Sequence, residues 1–184
     1  MTYEIELTDR QHLVALDRER ICQSARDLLA AERVASAIIG LVFVDDTAIH
    51  RINREHLQHD YPTDVISFLL EERPNGRPDV ISTENPRGAG KHLEGEIVVS
   101  TETALKQAEN YGWSAEEELL LYVVHGMLHL AGYDDLTAGE KAEMRRRENE
   151  ILARWGMTPP RDQMDDEPHP DRTTLADLPR EDRP

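Results

Sequence analysis

Tyr3, Ile5 and Leu7 alternate with polar residues, the period of two that marks a half-buried strand. The period then lengthens. From about Asp17 to Glu32, Ile21, Ala25, Leu28 and Leu29 recur at helical spacing and predict an amphipathic helix. Ala35 to Val44 is dense in Ile, Val and Phe and reads as a central strand. Asp45-Asp46-Thr47 supplies N-cap chemistry for a second helix. Its inward stripe is Ile49, Ile52, Asn53, His56 and Leu57, so two polar groups point where a core or a site belongs. Tyr61-Pro62-Thr63 is a turn, and Asp64 to Leu69 a further strand. Glu71 to His92 is rich in Pro and Gly and has no periodicity, so it reads as a long loop. Glu96 to Ser100 is a short buried strand, and Ser100 caps a third helix ending near Gly112.

The strongest hydrophobic segment follows. Ser114-Ala115-Glu116-Glu117 is a capping box that opens a helix from Ala115 to about Ala131. Leu119 to Val124, Met127, Leu128 and Leu130 leave it almost no polar face, and a helix apolar all round is buried. A second capping box, Thr137-Ala138-Gly139-Glu140, starts the last helix. Met144, Ile151, Leu152 and Trp155 form its inner face, and Trp155-Gly156 ends it. The last 28 residues hold six of the ten prolines and eight acids, with only Leu175 and Leu178 as leucines to bury. The pattern therefore predicts one domain over residues 1–156 and a disordered, acidic, Pro-rich tail over 157–184. The element order indicates an α+β fold: a small mixed β-sheet of about four strands, helices packed against it, and a buried central helix.

Composition narrows the function. The net charge of −16 argues against tight non-specific binding to nucleic acid, DNA included, which relies on Lys and Arg at phosphates. The single cysteine, Cys22, excludes an internal disulfide and a cysteine-based zinc finger. The N-terminus lacks an apolar signal core, and no apolar run approaches the roughly 20 residues that span a bilayer. The expectation is a cytoplasmic protein with no membrane partner.

The candidate chemistry lies in the most apolar helix. His125 and His129 are four apart, so both imidazoles lie on one face and can address one point. Burying two imidazoles on an apolar helix is costly unless each finds a partner, and a shared metal satisfies both. Gly126, which costs about 1 kcal/mol in a helix interior, suggests a close approach to the backbone beside the first histidine. Gly132 stops the helix, and the chain can double back to return Asp135 to the same point. Two His and one Asp with an open position are the donor set of a catalytic zinc site.

The string His125-Gly126-Met127-Leu128-His129-Leu130-Ala131-Gly132-Tyr133-Asp134-Asp135 resembles the signature of the YbeY family of metal-dependent endoribonucleases, usually His-Gly-x-Leu-His-Leu-x-Gly-Tyr-Asp-His. The stretches Pro62 to Phe68, Gly95 to Ser100 and Gln107-Ala108-Glu109 are similar to the family too. The resemblance spans about residues 35 to 155. It implies a compact α+β fold and one Zn²⁺ bound through three ligands. It also implies single-strand-specific endoribonuclease activity in ribosomal RNA processing, notably small-subunit RNA 3′-end maturation, and in ribosome quality control. The implied partners are ribosomal RNA and the small ribosomal subunit or assembly proteins.

Two departures stand out. The family's third histidine falls on Asp135, a tolerable exchange because carboxylates also bind zinc. Asp134 matches the family aspartate and reads as a turn residue, with a ligand role as the fallback. Before the Pro-Thr-Asp stretch, Leu57 takes the position where the family has an arginine suited to hold a phosphate. Arg54, one helical turn earlier, and His59 are the candidates to replace it as catalytic residues. Arg145-Arg146-Arg147 point in different directions on a helix and read as a mostly solvated face, and Lys91-His92 as a weak RNA contact.

Two rival functions remain. A metallopeptidase of the His-x-x-x-His type needs a Glu directly after the first histidine, where this chain has Gly126. A non-catalytic, zinc-stabilised ribosome assembly factor is compatible with the acidic domain and the missing arginine.

Overall fold

A computed structural model describes residues 2–74, 86–160 and Thr173–Thr174. The order is β1 (Thr2–Asp9), α1 (Arg18–Ala31), β2 (Ser36–Val44), α2 (Asp46–Leu57), β3 (Val65–Pro74) and β4 (Lys91–Ser100). It continues with α3 (Thr101–Tyr111), α4 (Ala115–Ala131), α5 (Ala138–Ala153) and β5 (Thr173–Thr174). The sheet runs β1-β2-β4-β3-β5. The β1–β2, β2–β4 and β3–β5 pairs are parallel, whereas β3 runs antiparallel to β4. The α+β expectation holds, with four long strands and one two-residue strand on the β3 edge.

Alternation along the strands sorts side chains onto two faces. Ile39, Leu41, Phe43, Val65, Ile97 and Val99 point to the larger core, which α1, α4 and α5 complete. Val44, Ile66 and Val98 point the other way and meet Ile49 and Leu57 of α2 in a separate small cluster. The inward histidine of the predicted α2 stripe, His56, is exposed and lies edge-on to Phe68. Asn53 is fully buried and donates from Nδ2 to the Tyr61 carbonyl, so it pins the turn after α2.

The expected long loop is shorter than the pattern suggests. β3 continues to Pro74 and β4 begins at Lys91, in register across Pro74↔Lys91 and Arg73↔His92. The register shifts between Leu69 and Glu71, and Leu70 in the gap is 65% exposed. On the β3 side this end of the ladder rests on backbone pairing rather than burial, and Leu93 of β4 is its one fully buried apolar residue among those described, too little for hydropathy to mark a strand. Residues 75–85 of that stretch lie outside the described residues. The tail predicted beyond residue 156 also falls mostly outside them, although buried Met157 still belongs to the core. Among the described residues, no helix is long and apolar enough to cross a membrane.

α4 sits where the sequence puts it. It touches α1, α3 and α5 as well as β3 and β4, and the helix residues from Glu118 to Leu128 are all buried. Each fully buried Leu contributes about 1.5–3 kcal/mol of transfer free energy. The close approach expected at Gly126 is present. A Cβ there would stand 2.8 Å from Ile97 Cγ2 and 2.9 Å from Ser67 Oγ. The room is used by Ser67, whose hydroxyl donates to the Gly126 carbonyl at 3.1 Å.

Candidate metal centre

α4 carries His125 and His129 side by side, and the turn after it carries Asp135. Gly132 caps the helix with φ +104°, a left-handed conformation that other residues adopt only under strain. The chain reverses there. The backbone N–H groups of Gly132 and Tyr133 return to the His129 and Leu128 carbonyls. Asp134 accepts the Asp135 N–H on Oδ1 at 2.8 Å, which fits a turn role. Cations cover the exposed helix end: Lys91 Nζ donates to the Ala131 carbonyl and Arg87 to the Gly132 carbonyl. Lys91 also pairs with Glu72. Its contacts are those of a helix-end clamp.

The two imidazoles are held from behind. His125 Nδ1 lies 2.5 Å from Glu148 Oε1, and His129 Nδ1 lies 3.2 Å from the Tyr133 carbonyl. Carbonyl oxygens only accept, so His129 donates from Nδ1, and the Glu148 carboxyl oxygen at His125 Nδ1 is placed to accept from that ring in the same tautomer. The rings stand nearly perpendicular, with Nε2 facing Nε2 at 2.9 Å. Asp135 completes the triangle: Oδ2 is 3.9 Å from His125 Nε2 and Oδ1 is 3.9 Å from His129 Nε2. All three ligand atoms lie within 4.8 Å of one another.

This geometry fits a divalent ion. Two imidazole lone pairs facing each other at 2.9 Å repel until a proton or a cation stands between them. A tetrahedral ion with bonds of 2.0–2.2 Å separates its donors by about 3.4 Å. The observed separations fall on either side of that value, so closing the set takes shifts of about half an ångström, Asp135 moving inward and the two imidazoles spreading apart.

A family model described as "Endoribonuclease YbeY" matches residues 5–156. This chain belongs to the YbeY family. Among its relatives, a protein named Endoribonuclease YbeY from Desulfitobacterium hafniense is 39% identical over 81% of this chain and 89% of its own length. Proteins of the same name from Bacillus licheniformis and Geobacillus thermodenitrificans are each 38% identical over 86% of this chain, covering 98% and 99% of their own lengths. YbeY membership makes the chain a hydrolase of the endoribonuclease class.

The other candidates lie elsewhere. Arg54 is an exposed residue of α2, 4.0 Å from Asp60, and His59 stacks on Tyr61 at 5.3 Å between ring centroids. Both belong to the α2 side of the sheet. Leu57 is buried in the α2 cluster. Arg145-Arg146-Arg147 is not wholly a solvated face. Arg147 Nε reaches Glu32 Oε1 at 2.6 Å, and Glu32 is fully buried. Tyr133 O–H donates to the same carboxylate. Burial raises the Tyr133 phenol above its ordinary pKa, and the Glu32 charge adds to the effect. Burial works against the Arg147 charge, yet bonds to Glu32 and Glu150 raise its pKa overall.

Sequence reasoning missed Glu148. Its signal is an acid in the apolar stripe Met144, Glu148, Ile151, Leu152, all buried in α5. A second cluster, Glu71, His92 and Glu94, occupies the β3–β4 pair. There Arg73 Nε already stands 2.5 Å from Glu71, and Ser36 Oγ meets His92 Nδ1 at 2.8 Å. Those contacts engage Glu71 and His92.

Proposed function

We propose that the protein is a zinc-dependent, single-strand-specific endoribonuclease acting in ribosomal RNA processing. Its substrate would be the 3′ end of small-subunit RNA, with a further part in ribosome quality control. The observation that carries this reading is the convergence of His125 Nε2, His129 Nε2 and the Asp135 carboxylate on one point. Both histidines are fixed through Nδ1, so the donor atoms need no reorientation.

When bound, the ion would lower the pKa of its water toward 7 and polarise a phosphoryl oxygen. The chain's own residues have simpler roles. His125, His129 and Asp135 would hold the ion. Tyr133 fixes His129 through its carbonyl. Arg54 and His59 are the proposed phosphate-steering groups. Ribosomal RNA, the small subunit and its assembly proteins are the proposed partners, in the cytoplasm.

The test is elemental analysis together with cleavage of a single-stranded RNA. His129→Ala should lose both the zinc and the cleavage, and a chelator should reproduce the loss in wild type. Cleavage that persists in metal-free protein rules this mechanism out. A second reading, a zinc-stabilised assembly factor without catalysis, is favoured by one observation: buried Leu57 stands where the family has its arginine. Ribosome co-sedimentation that survives His125→Ala, with no RNA cleavage by wild type, would select it.

A further inference from the structure

Glu148 is a carboxylate with no obvious reason to be buried. It sits in the middle of α5, 6% exposed, among Met144, Ile151 and Leu152. Burying a carboxylate is costly unless its lone pairs are used. One oxygen is spent at 2.5 Å on His125 Nδ1, the far nitrogen of a ring whose Nε2 faces the metal point. The adjacent Arg147 turns to Glu32 and Glu150. The two neighbours on α5 thus serve different ends, one bracing α1 and the other the metal centre.

We propose that Glu148 is the positioning residue of the metal centre. It keeps the His125 proton on Nδ1, aims the Nε2 lone pair at the ion, and makes His125 a stronger donor to a divalent cation. The physical basis is a carboxylate behind a metal-binding histidine, which fixes the tautomer and raises ligand basicity. Glu148 also places a second carboxyl group on the His125 ring, at the nitrogen opposite the one that faces Asp135. The line Glu148–His125–His129–Tyr133 carbonyl is continuous through contacts of 2.5, 2.9 and 3.2 Å. The ion would enter at its middle contact, and its two outer contacts would already be made. His129 has only a neutral carbonyl behind it. The two histidines are therefore unequal ligands, and Glu148 makes the difference.

This inference rests on the metal reading above, and the experiment separates the two. Full-length wild type, Glu148→Gln and Glu148→Asp are titrated with Zn²⁺ against a chromophoric chelator at fixed pH. Visible spectra of the Co²⁺ forms and thermal midpoints of the metal-free proteins are recorded alongside. Glu148→Gln keeps the shape and an acceptor oxygen but removes the charge. It should bind zinc about 10–100-fold more weakly, with shifted cobalt bands. Its metal-free midpoint should match or exceed that of wild type, because a buried charge is gone. A purely structural Glu148 would give the reverse, a lowered midpoint with unchanged affinity, and would overturn the proposal. Glu148→Asp keeps the charge but withdraws the carboxylate by one methylene. It should show a smaller loss of affinity, and it decides the matter should Glu148→Gln fail to fold. Unchanged affinity in the folded variants overturns this proposal alone. Wild type that takes up neither metal overturns the metal reading and this proposal with it.

Discussion

On one face of the sheet α4 is enclosed by α1, α3, α5 and two strands, and both metal-facing histidines sit inside that enclosure. On the other face, among the described residues, α2 covers a cluster of five buried residues; Arg54 stands on α2 itself, and His59 in the turn that follows, beside exposed Asp60. The first face fixes its polar groups by packing and by bonds from behind. The second leaves them to surface contacts. Side chains on the first face are therefore preorganised, and those on the second must be ordered by whatever binds there.

The contrast is open to direct attack. The largest expected effect is at Arg147. Arg147→Met leaves fully buried Glu32 without its guanidinium and should cost about 3–5 kcal/mol in denaturant unfolding. Pairing it with Glu32→Gln should recover most of the loss. A cost below about 1 kcal/mol would mean that the enclosure yields more than its burial implies. Gly126→Ala comes next. The added methyl gains about 1 kcal/mol of helix propensity but meets Ile97 and Ser67 at under 3.0 Å, so a net loss of about 1–3 kcal/mol is expected. Its zinc affinity should fall as well, because α4 must lift from β3.

The next test is of pH and lies on the α2 side. Burial pushes Asp46 up, but bonds from Lys106, Ser100 and Thr103 outweigh it and hold its carboxylate below its ordinary value of 3.8. A carboxylate with a depressed folded pKa contributes stability above its unfolded value and loses it as pH falls through the folded one. Asp46→Asn should therefore lower stability at neutral pH and flatten the acid limb below about pH 4, the two profiles converging at low pH. The smallest effect is at Arg54. Its contact with Asp60 is long and exposed, so Arg54→Ala should change stability by less than about 0.5 kcal/mol. RNA cleavage should fall while zinc content stays constant. A large stability loss there would erase the distinction between the two faces.

The first face was also the more legible one in the sequence. Apolar runs, two capping boxes and the His-Gly-x-x-His spacing carry α4, α5 and the metal corner, because burial and helical period leave their mark on residue type. Asp135 could be placed because Gly132 dictates a reversal. Glu148 was overlooked because its meaning depends on α5 lying against His125, a tertiary fact with no local trace beyond one acid in an apolar stripe. The far ends of β3 and β4 were read as loop because Glu71, Glu72 and Arg73 pair through backbone bonds while their side chains stay partly or fully exposed. Within the mostly solvated arginine triplet, Arg147 is the inward exception. Three arginines in a row point in different directions, and only the structure tells which one turns inward.

The reversal at Gly132 divides the metal centre into parts of unequal lifetime. His125 belongs to a helix whose amides should exchange with solvent only when the whole domain opens, whereas Asp135 sits on a short turn able to open locally. Ion capture and release would then proceed through excursions of that turn, with the histidine pair standing ready throughout. Deuterium uptake at 133–136 would set the exchange rate of the ion, and uptake at 120–130 the lifetime of the fold.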